Sequence, residues 1–242
     1  MNGPNAERRP EPGPPRSVEE APFFDVKVRL SSRFPSSNAG RYDVRVSDRE
    51  RAIEEVCRYC DLEERIALVP PSAKGRGLYF RSIETVLARA GCIERYRSLF
   101  PAPFAAVRWH PLPEFLVQLA VGASILTSPE RVHEGMFEIG RQNAIAFSES
   151  LLGRTLLRFL SRDPRRLLQQ AVAGRRQSTA YGSWALTFPD ERTAVVTMVE
   201  EYVYIESYLL GAAQGTFDAI SRPVRIEVAL ENRFSGKHIL AW

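Results

Sequence analysis

Cysteine is the residue whose spacing most directly suggests chemistry, because Cys57 and Cys60 form a C-x-x-C pair. A structural zinc site needs about four ligands, and neither Cys92 nor a histidine pair follows at a useful spacing. A redox-active dithiol belongs at the start of a helix that follows a strand, whereas this pair falls inside a predicted helix. We therefore interpret both cysteines as structural.

Histidine is the second residue type that could bind a metal, and its three copies, His110, His133 and His238, are scattered along the chain. His133 and Glu134 begin like a metalloprotease helix, but the second histidine four residues further on is missing. One axial imidazole is enough to hold a haem iron, so His133 could serve, although a solvated residue at a helix start is the favoured interpretation. The sequence thus predicts no metal and no cofactor.

Carboxylate pairs and glycine-rich loops are the remaining catalytic candidates. Glu200 and Glu201 are predicted to point to opposite faces of a strand, which makes them solubility residues. The KGRG segment at Lys74 matches neither a phosphate loop nor a dinucleotide fingerprint, and no G-x-S-x-G elbow occurs. The sequence therefore predicts that this protein is not an enzyme.

Arginines are concentrated between residues 154 and 176, where the first three would form one ridge on a helix. The cluster consists of Arg154, Arg158, Arg162, Arg165, Arg166, Arg175 and Arg176. Such a ridge could bind the phosphates of a nucleic acid or nucleotide. However, the 33 basic residues of the chain are nearly all arginine, a bias that is typical of a GC-rich genome. A solvated arginine face is therefore the favoured interpretation.

Small residues recur at helical spacing in two places. Gly140, Ala144 and Ser148 form one ridge, and Gly211 and Gly215 form another. A row of small side chains lets a second backbone or a flat ligand approach closely. Tight helix packing is the favoured interpretation, and the same ridges are the candidates for a ligand pocket between helix and sheet.

The composition is that of an ordinary globular protein, with 44% hydrophobic and 26% charged residues in a chain of 242. No apolar run reaches the length of about 18 residues that a membrane span needs, and the N-terminus lacks a signal-peptide core. Three sparse cysteines suit a reducing compartment. We expect a soluble cytoplasmic protein with no membrane contact, and a homodimer is compatible with the sequence.

The order of the predicted elements indicates an α+β fold. Residues 1–21 are rich in proline and predicted to be a disordered tail, 22–61 an N-terminal arm and helix, and 62–242 a single domain. In that domain, N-terminal and central helices precede a strand-strand-helix-strand-strand pattern, which predicts an antiparallel sheet layer covered by helices. One helix is predicted to start at Asp163 and Pro164 and to end at Gly174, and the second strand is predicted to run to Tyr204.

Residues 62–242 resemble an uncharacterised protein family that is largely restricted to myxobacteria. The matching stretches are residues 76–80, 111–119, 139–141, 152–157, 163–168 and 211–215. That family is remotely similar to a superfamily of haem-dependent nitric-oxide sensors, vinyl-reductase-like sensors and vesicle-tethering subunits, which share the helix and strand order derived above. The resemblance implies a binding module, and it supplies no catalytic residues to carry over.

Two functions remain as alternatives at this point. The first is a non-enzymatic sensory or regulatory module that binds a small apolar ligand or a protein partner. The second is a nucleic-acid or nucleotide binder that uses the Arg154–Arg176 cluster. Arginines that face one way would favour the second, and an apolar cavity would favour the first.

Overall fold

The computed structural model describes residues 48–101, 104–149 and 163–242, with side chains of the helix that ends at Glu149 described up to Ile145. The predicted tail, and the predicted arm up to residue 47, lie outside the described residues. So do three of the seven clustered arginines, Arg154, Arg158 and Arg162.

Helices make up most of the described chain before residue 180. They are α1 (Asp48–Cys57), α2 (Leu62–Leu68), α3 (Leu78–Arg89), α4 (Ile93–Leu99), α5 (Leu112–Leu126), α6 (Val132–Glu149) and α7 (Pro164–Ser178). Two short antiparallel strands, β1 (Lys74–Arg76) and β2 (Trp109–Pro111), pair between these helices. The predicted helical half is thereby confirmed.

A four-stranded antiparallel sheet follows the helices. It contains β3 (Ser183–Asp190), β4 (Thr193–Val199), β5 (Arg225–Asn232) and β6 (Ser235–Ala241) in the spatial order β3-β4-β6-β5. A π-helical turn (Ile205–Leu209) and α8 (Leu210–Asp218) stand between the two hairpins. The α+β prediction and its strand-strand-helix-strand-strand order are confirmed.

Helix α7 begins where the sequence predicts and extends beyond its predicted end. Asp163 caps its N-terminus by accepting backbone hydrogen bonds from Arg165 at 3.0 Å and Arg166 at 3.3 Å. The predicted end at Gly174 is wrong, because the helix continues to Ser178. Apolar residues such as Val172 are buried along it, and this tertiary packing outweighs the weak helix propensity of one glycine.

The core forms where alternate residues of the sheet meet the helices. Ala194, Val196 and Met198 of β4 and Leu240 of β6 are buried in one continuous cluster with the helical side chains. The strand pattern of period two accounts for this, because every second side chain faces the same way. Among the described helices, no single one is long and apolar enough to cross a membrane. α5 and Pro129–Ile145 pass that test only as a pair, bent by 116°.

Helices α6 and α8 are in backbone contact through their glycines. A Cβ atom on Gly140 would lie 2.1 Å from the Tyr208 carbonyl oxygen, and one on Gly211 would lie 1.9 Å from that of Phe137. Gly215 is equally close to the α6 backbone. Only glycine permits so close an approach, so these three residues set the spacing of the two helices.

The first prediction tests this contact with Gly211→Ala. The added methyl group has no room beside Phe137, and we expect overpacking to lower the free energy of unfolding by about 1–3 kcal/mol. Gly174→Ala is the matched control, because nothing lies within 4 Å of a Cβ there. It should be neutral or gain up to about 1 kcal/mol from helix propensity. Urea midpoints measure both, and a Gly211→Ala midpoint equal to that of the parent would contradict the packing.

The second prediction concerns His238, which is 3% exposed on the inner face of the sheet. Its Nε2–H donates to the Ile205 carbonyl at 2.9 Å, and burial lowers its pKa from 6.5 to about 4. Between pH 6.5 and about pH 4, this imidazole is protonated in the unfolded chain but remains neutral in the folded chain. Stability should therefore fall by about 3 kcal/mol as pH drops from 6.5 to 4.

His238→Gln isolates this contribution, since glutamine can still donate to the carbonyl but does not titrate. The difference in free energy of unfolding between parent and variant should depend on pH in that window. His133→Gln, at a half-buried position on α6, removes one histidine but leaves His238 in place and is the matched control. Parallel curves for the parent and His238→Gln would show that His238 does not cause the pH dependence.

Candidate ligand-binding cleft

A fully buried carboxylate, that of Glu201, lies just after β4. Its Oε2 accepts hydrogen bonds from Arg175 Nη2 at 2.8 Å and from Trp184 Nε1 at 2.7 Å. Its Oε1 accepts from the Val203 backbone N–H at 3.2 Å. A buried charge persists only when it is paired and hydrogen-bonded, so this carboxylate ties together α7, β3 and the segment after β4.

Aromatic rings surround the ion pair. The Arg175 guanidinium lies 4.3 Å from the centroid of the Tyr181 ring and 5.4 Å from that of Trp184, distances at which cation–π attraction operates. Burial raises the pKa of Tyr181 well above its ordinary value, and the Glu201 carboxylate raises it further. The phenol therefore remains protonated and can donate a hydrogen bond at neutral pH.

A cleft of about 320 Å³ opens beside this pair, between the end of α7 and the start of β3. It is lined by Arg175, Arg176, Thr179, Ala180, Tyr181, Gly182, Ser183 and Trp184. Arg175 has only 9% of its side chain exposed, while Arg176 and Ser183 are exposed at the rim. The cleft thus combines flat aromatic surface with polar groups at its edge.

The backbone around the cleft is held from two sides. Gly182 has a φ of +54°, and a Cβ there would lie 2.5 Å from the Glu200 carbonyl oxygen, so glycine is required for this turn. On the other side, the Ala180 N–H donates to the Lys74 carbonyl at 2.8 Å, and Thr179 bridges to Gly75 of β1. The rim is therefore anchored both to the four-stranded sheet and to β1.

The structure places the described members of the arginine cluster at opposite ends of α7. Arg165 stacks on the Phe188 ring at 4.4 Å and Arg166 pairs with Asp163 at 3.3 Å, both in the first turn. Arg175 and Arg176 are about ten residues, or about 15 Å, further along the helix. Because Arg175 is buried against Glu201, these four arginines do not form one solvent-facing ridge.

The small residues proposed for a ligand pocket lie on the two helices in contact. Gly140, Gly211 and Gly215 face the neighbouring helix backbone. Ala144 is half-buried one turn after Gly140, and the Ser148 side chain lies outside the described residues. Close helix packing accounts for the three glycines, and a ligand role for this set stays a prediction.

A second buried cation, Arg65 of α2, fixes the segment that follows Glu201. It is 2% exposed, and its Nη1 donates to the Tyr202 carbonyl at 3.1 Å. Asp61 accepts from Nε and Nη2 at 3.3 Å, and the guanidinium lies 4.0 Å from the centroid of the Tyr204 ring. Both flanks of residues 201–204 are thus held by buried arginines.

All three cysteines are free thiols in partly buried positions. Burial raises the pKa of Cys60 to about 11, which disfavours the thiolate that redox chemistry or zinc binding requires. Cys57, Cys60 and Cys92 are unoxidised. Among the residues that the structure describes, no three His, Cys, Asp or Glu side chains are grouped to hold a metal ion.

Sequence reasoning missed Glu201. The prediction that it is a solubility residue is wrong, because β4 ends at Val199 and Glu200 turns the chain with a φ of +53°. Alternation along a strand therefore does not apply to it. The available signal was the apolar and aromatic run that begins at Tyr202, which indicates that the chain enters the core directly after Glu201.

The fold is that of the H-NOX proteins. An unliganded Fe(II) H-NOX protein from K. algicida matches with a TM-score of 0.53 and 12% identity, over 69% of this chain and 95% of that one. A structure described as "Modulating Heme Redox Potential Through Protein-Induced Porphyrin Distortion" matches with a TM-score of 0.56 and 15% identity, over 69% and 94%. At such identities the likeness establishes the fold alone.

The family is shown by a direct sequence match. Residues 69–234 match the model of a family described as "Protein of unknown function (DUF2378)". Because that match covers more than half of the chain, the protein belongs to this family, as the resemblance implied. Among curated proteins the comparison finds no match.

The comparisons correct the expectation about cofactors. We predicted none, and that prediction is wrong, because the similar solved structures are described with Fe(II) or haem. His133, the one haem ligand considered, lies with its Nδ1 3.5 Å from the Ser207 hydroxyl and its ring edge-on to Tyr204. The cleft does not border it. The described surroundings of His133 do not fit a haem, and no haem role is assigned to it.

The third prediction concerns the buried pair. Glu201→Gln keeps the shape of the side chain but leaves the Arg175 guanidinium buried without its counter-charge, and we expect a loss of about 3–5 kcal/mol in unfolding free energy. Glu200→Gln, the exposed neighbour, is the control and should change stability by less than about 0.5 kcal/mol. Chemical denaturation measures both. Similar midpoints for the two variants would mean that the carboxylate of Glu201 does not stabilise the fold.

Proposed function

We propose that this protein is a non-enzymatic sensory or regulatory module that binds a small amphipathic molecule in the cleft beside Arg175. The observation that carries the proposal is the cleft itself, in which an indole, a phenol and a guanidinium are fixed around one buried carboxylate. Rigid groups of this kind are what a small-molecule site uses to orient its ligand. The likeness to a fold known with haem supports small-molecule binding.

The lining indicates the chemical class of the ligand. Tyr181 and Trp184 offer flat apolar surface to the body of a molecule. Arg176 and Ser183 are exposed at the rim, where a guanidinium and a hydroxyl can bind a carboxylate or another polar head. Arg175 is already neutralised by Glu201, so a ligand with a single negative charge fits better than a polyphosphate.

Ligand binding in this cleft can be transmitted to the rest of the fold. A molecule that displaced Trp184 or Tyr181 would act on the hydrogen bonds of Glu201, and Glu201 opens the buried segment that leads to the π-helical turn.

The described arginines do not form a common ridge, so nucleic-acid or nucleotide binding through the Arg154–Arg176 cluster stays an alternative without such support.

The fourth prediction tests the cleft by filling it. Native mass spectrometry of the full chain purified from its own host should show a retained small molecule, and a Soret absorption band would identify that molecule as a haem. Ala180→Trp places a large ring in the cleft and should abolish retention. Ala185→Trp, exposed on β3 outside the cleft, is the matched control and should retain the ligand.

Thermal melting confirms that both variants are folded. A parent chain without any additional mass would contradict ligand binding. Equal retention in Ala180→Trp and the parent would place the ligand elsewhere in the protein.

A further inference from the structure

Three large apolar side chains are exposed on the two chain segments that meet at β1 and β2. Leu78 at the start of α3 is 44% exposed, Val107 in the turn that precedes β2 is 77% exposed, and Trp109 of β2 is 40% exposed. Exposed apolar residues that occur singly need no explanation, but a group of them marks an interaction surface. We call these three residues, together with Lys74, Arg76, Arg81 and Arg108 on the same segments, the basic-apolar patch.

Backbone hydrogen bonds bring the two chain segments of the patch together. The Leu78 N–H donates to the Ala106 carbonyl at 3.0 Å, and Trp109 pairs with Arg76 in the β1–β2 ladder. The Arg76 guanidinium lies 4.0 Å from the centroid of the Trp109 ring, and its Nη1 donates to the Val107 carbonyl at 2.5 Å. The patch is therefore a built feature and not an accidental exposure of separate residues.

The two chain segments that form the patch carry charges of one sign. Residues 69–83 and 101–113 contain Lys74, Arg76, Arg81 and Arg108 and no aspartate or glutamate. Lys74, Arg81 and Arg108 are exposed. For a chain in which acids nearly balance bases, at 29 against 33, these two segments carry an excess of positive charge, and the first acids beyond them are Glu84 and Glu114. The complement of the patch must be anionic and must also accept apolar side chains.

We propose that the basic-apolar patch docks peripherally on an anionic membrane surface. Tryptophan favours the membrane–water interface, Val107 stands at a turn where it can enter the lipid first, and basic residues attract anionic headgroups. A protein partner binds most strongly where its central residues fill a well-packed pocket. The apolar residues of the patch do not line the cleft beside Arg175, so that cleft gives the patch no such pocket. Single-stranded nucleic acid would need several rings for stacking, whereas the patch exposes Trp109 with Arg76 over its ring.

This docking needs no membrane-spanning segment. The expectation of no membrane contact rested on the absence of a long apolar run, which bears on spanning and not on surface binding. The proposal does not rest on the proposed function, because the side chains of the patch do not line the ligand cleft.

Flotation of the full chain with lipid vesicles tests the proposal. We expect it to bind vesicles of phosphatidylcholine with about 30 mol% phosphatidylglycerol, and not pure phosphatidylcholine, with weaker binding at about 0.15 M salt than at low salt. The double variant Arg81→Gln/Arg108→Gln should lower the partition coefficient by about thirtyfold, the factor that corresponds to two charges at about 1 kcal/mol each. Val107→Asp should weaken binding without removing a basic residue.

The control removes the same charge elsewhere. Arg222→Gln/Arg225→Gln lies at and just before β5, at the far edge of the sheet, and should partition like the parent; melting curves confirm that all variants fold. Absence of binding to anionic vesicles at low salt would overturn the proposal. Equal losses in the patch and control variants would also overturn it, since they would indicate non-specific attraction. So would a patch that binds a single-stranded oligonucleotide and not vesicles.

Discussion

The ion pair between Glu201 and Arg175 is the contact on which the sheet and the last helix of the helical half jointly depend. Burying an ionised carboxylate costs free energy. The Glu201 carboxylate remains buried because a guanidinium, an indole N–H and a backbone N–H all donate hydrogen bonds to it. These donors come from α7, β3 and the segment after β4. The pair therefore fixes how three elements meet, and the cleft exists because they meet in this way.

The glycine contact between α6 and α8 imposes a second constraint, on the opposite side of the same segment. With Gly211 against the Phe137 carbonyl, the π-helical turn and Tyr208 are held close to α6, and Asn143 Nδ2 donates to the Tyr208 hydroxyl at 3.3 Å. A flat ligand could not enter between the helix backbones at these glycines without separating them. The cleft of about 320 Å³ lies instead at the end of α7, where the chain turns into the sheet.

The sequence predicted what depends on periodicity and capping, and it failed where tertiary contacts decide. The helical half, the two hairpins and the Asp163 cap follow from local patterns that each residue type strongly prefers. Gly174 was read as a helix end because propensity is local, whereas burial of Val172 is not. Glu201 was read as a solvent residue because its partner, Arg175, is 26 residues away. The basic-apolar patch joins two segments about 30 residues apart, which no local pattern reveals.

Strand β1 connects the two surfaces to which we assign function. Its Lys74 carbonyl accepts from Ala180 in the rim of the cleft, while Arg76 at its other end covers Trp109 in the patch. A strand of three residues paired on one side to β2 and bridged on the other to Thr179 cannot shift without moving both surfaces. The proposed ligand and an anionic bilayer present the same chemical groups to the protein, since each carries apolar carbon beside a negatively charged group.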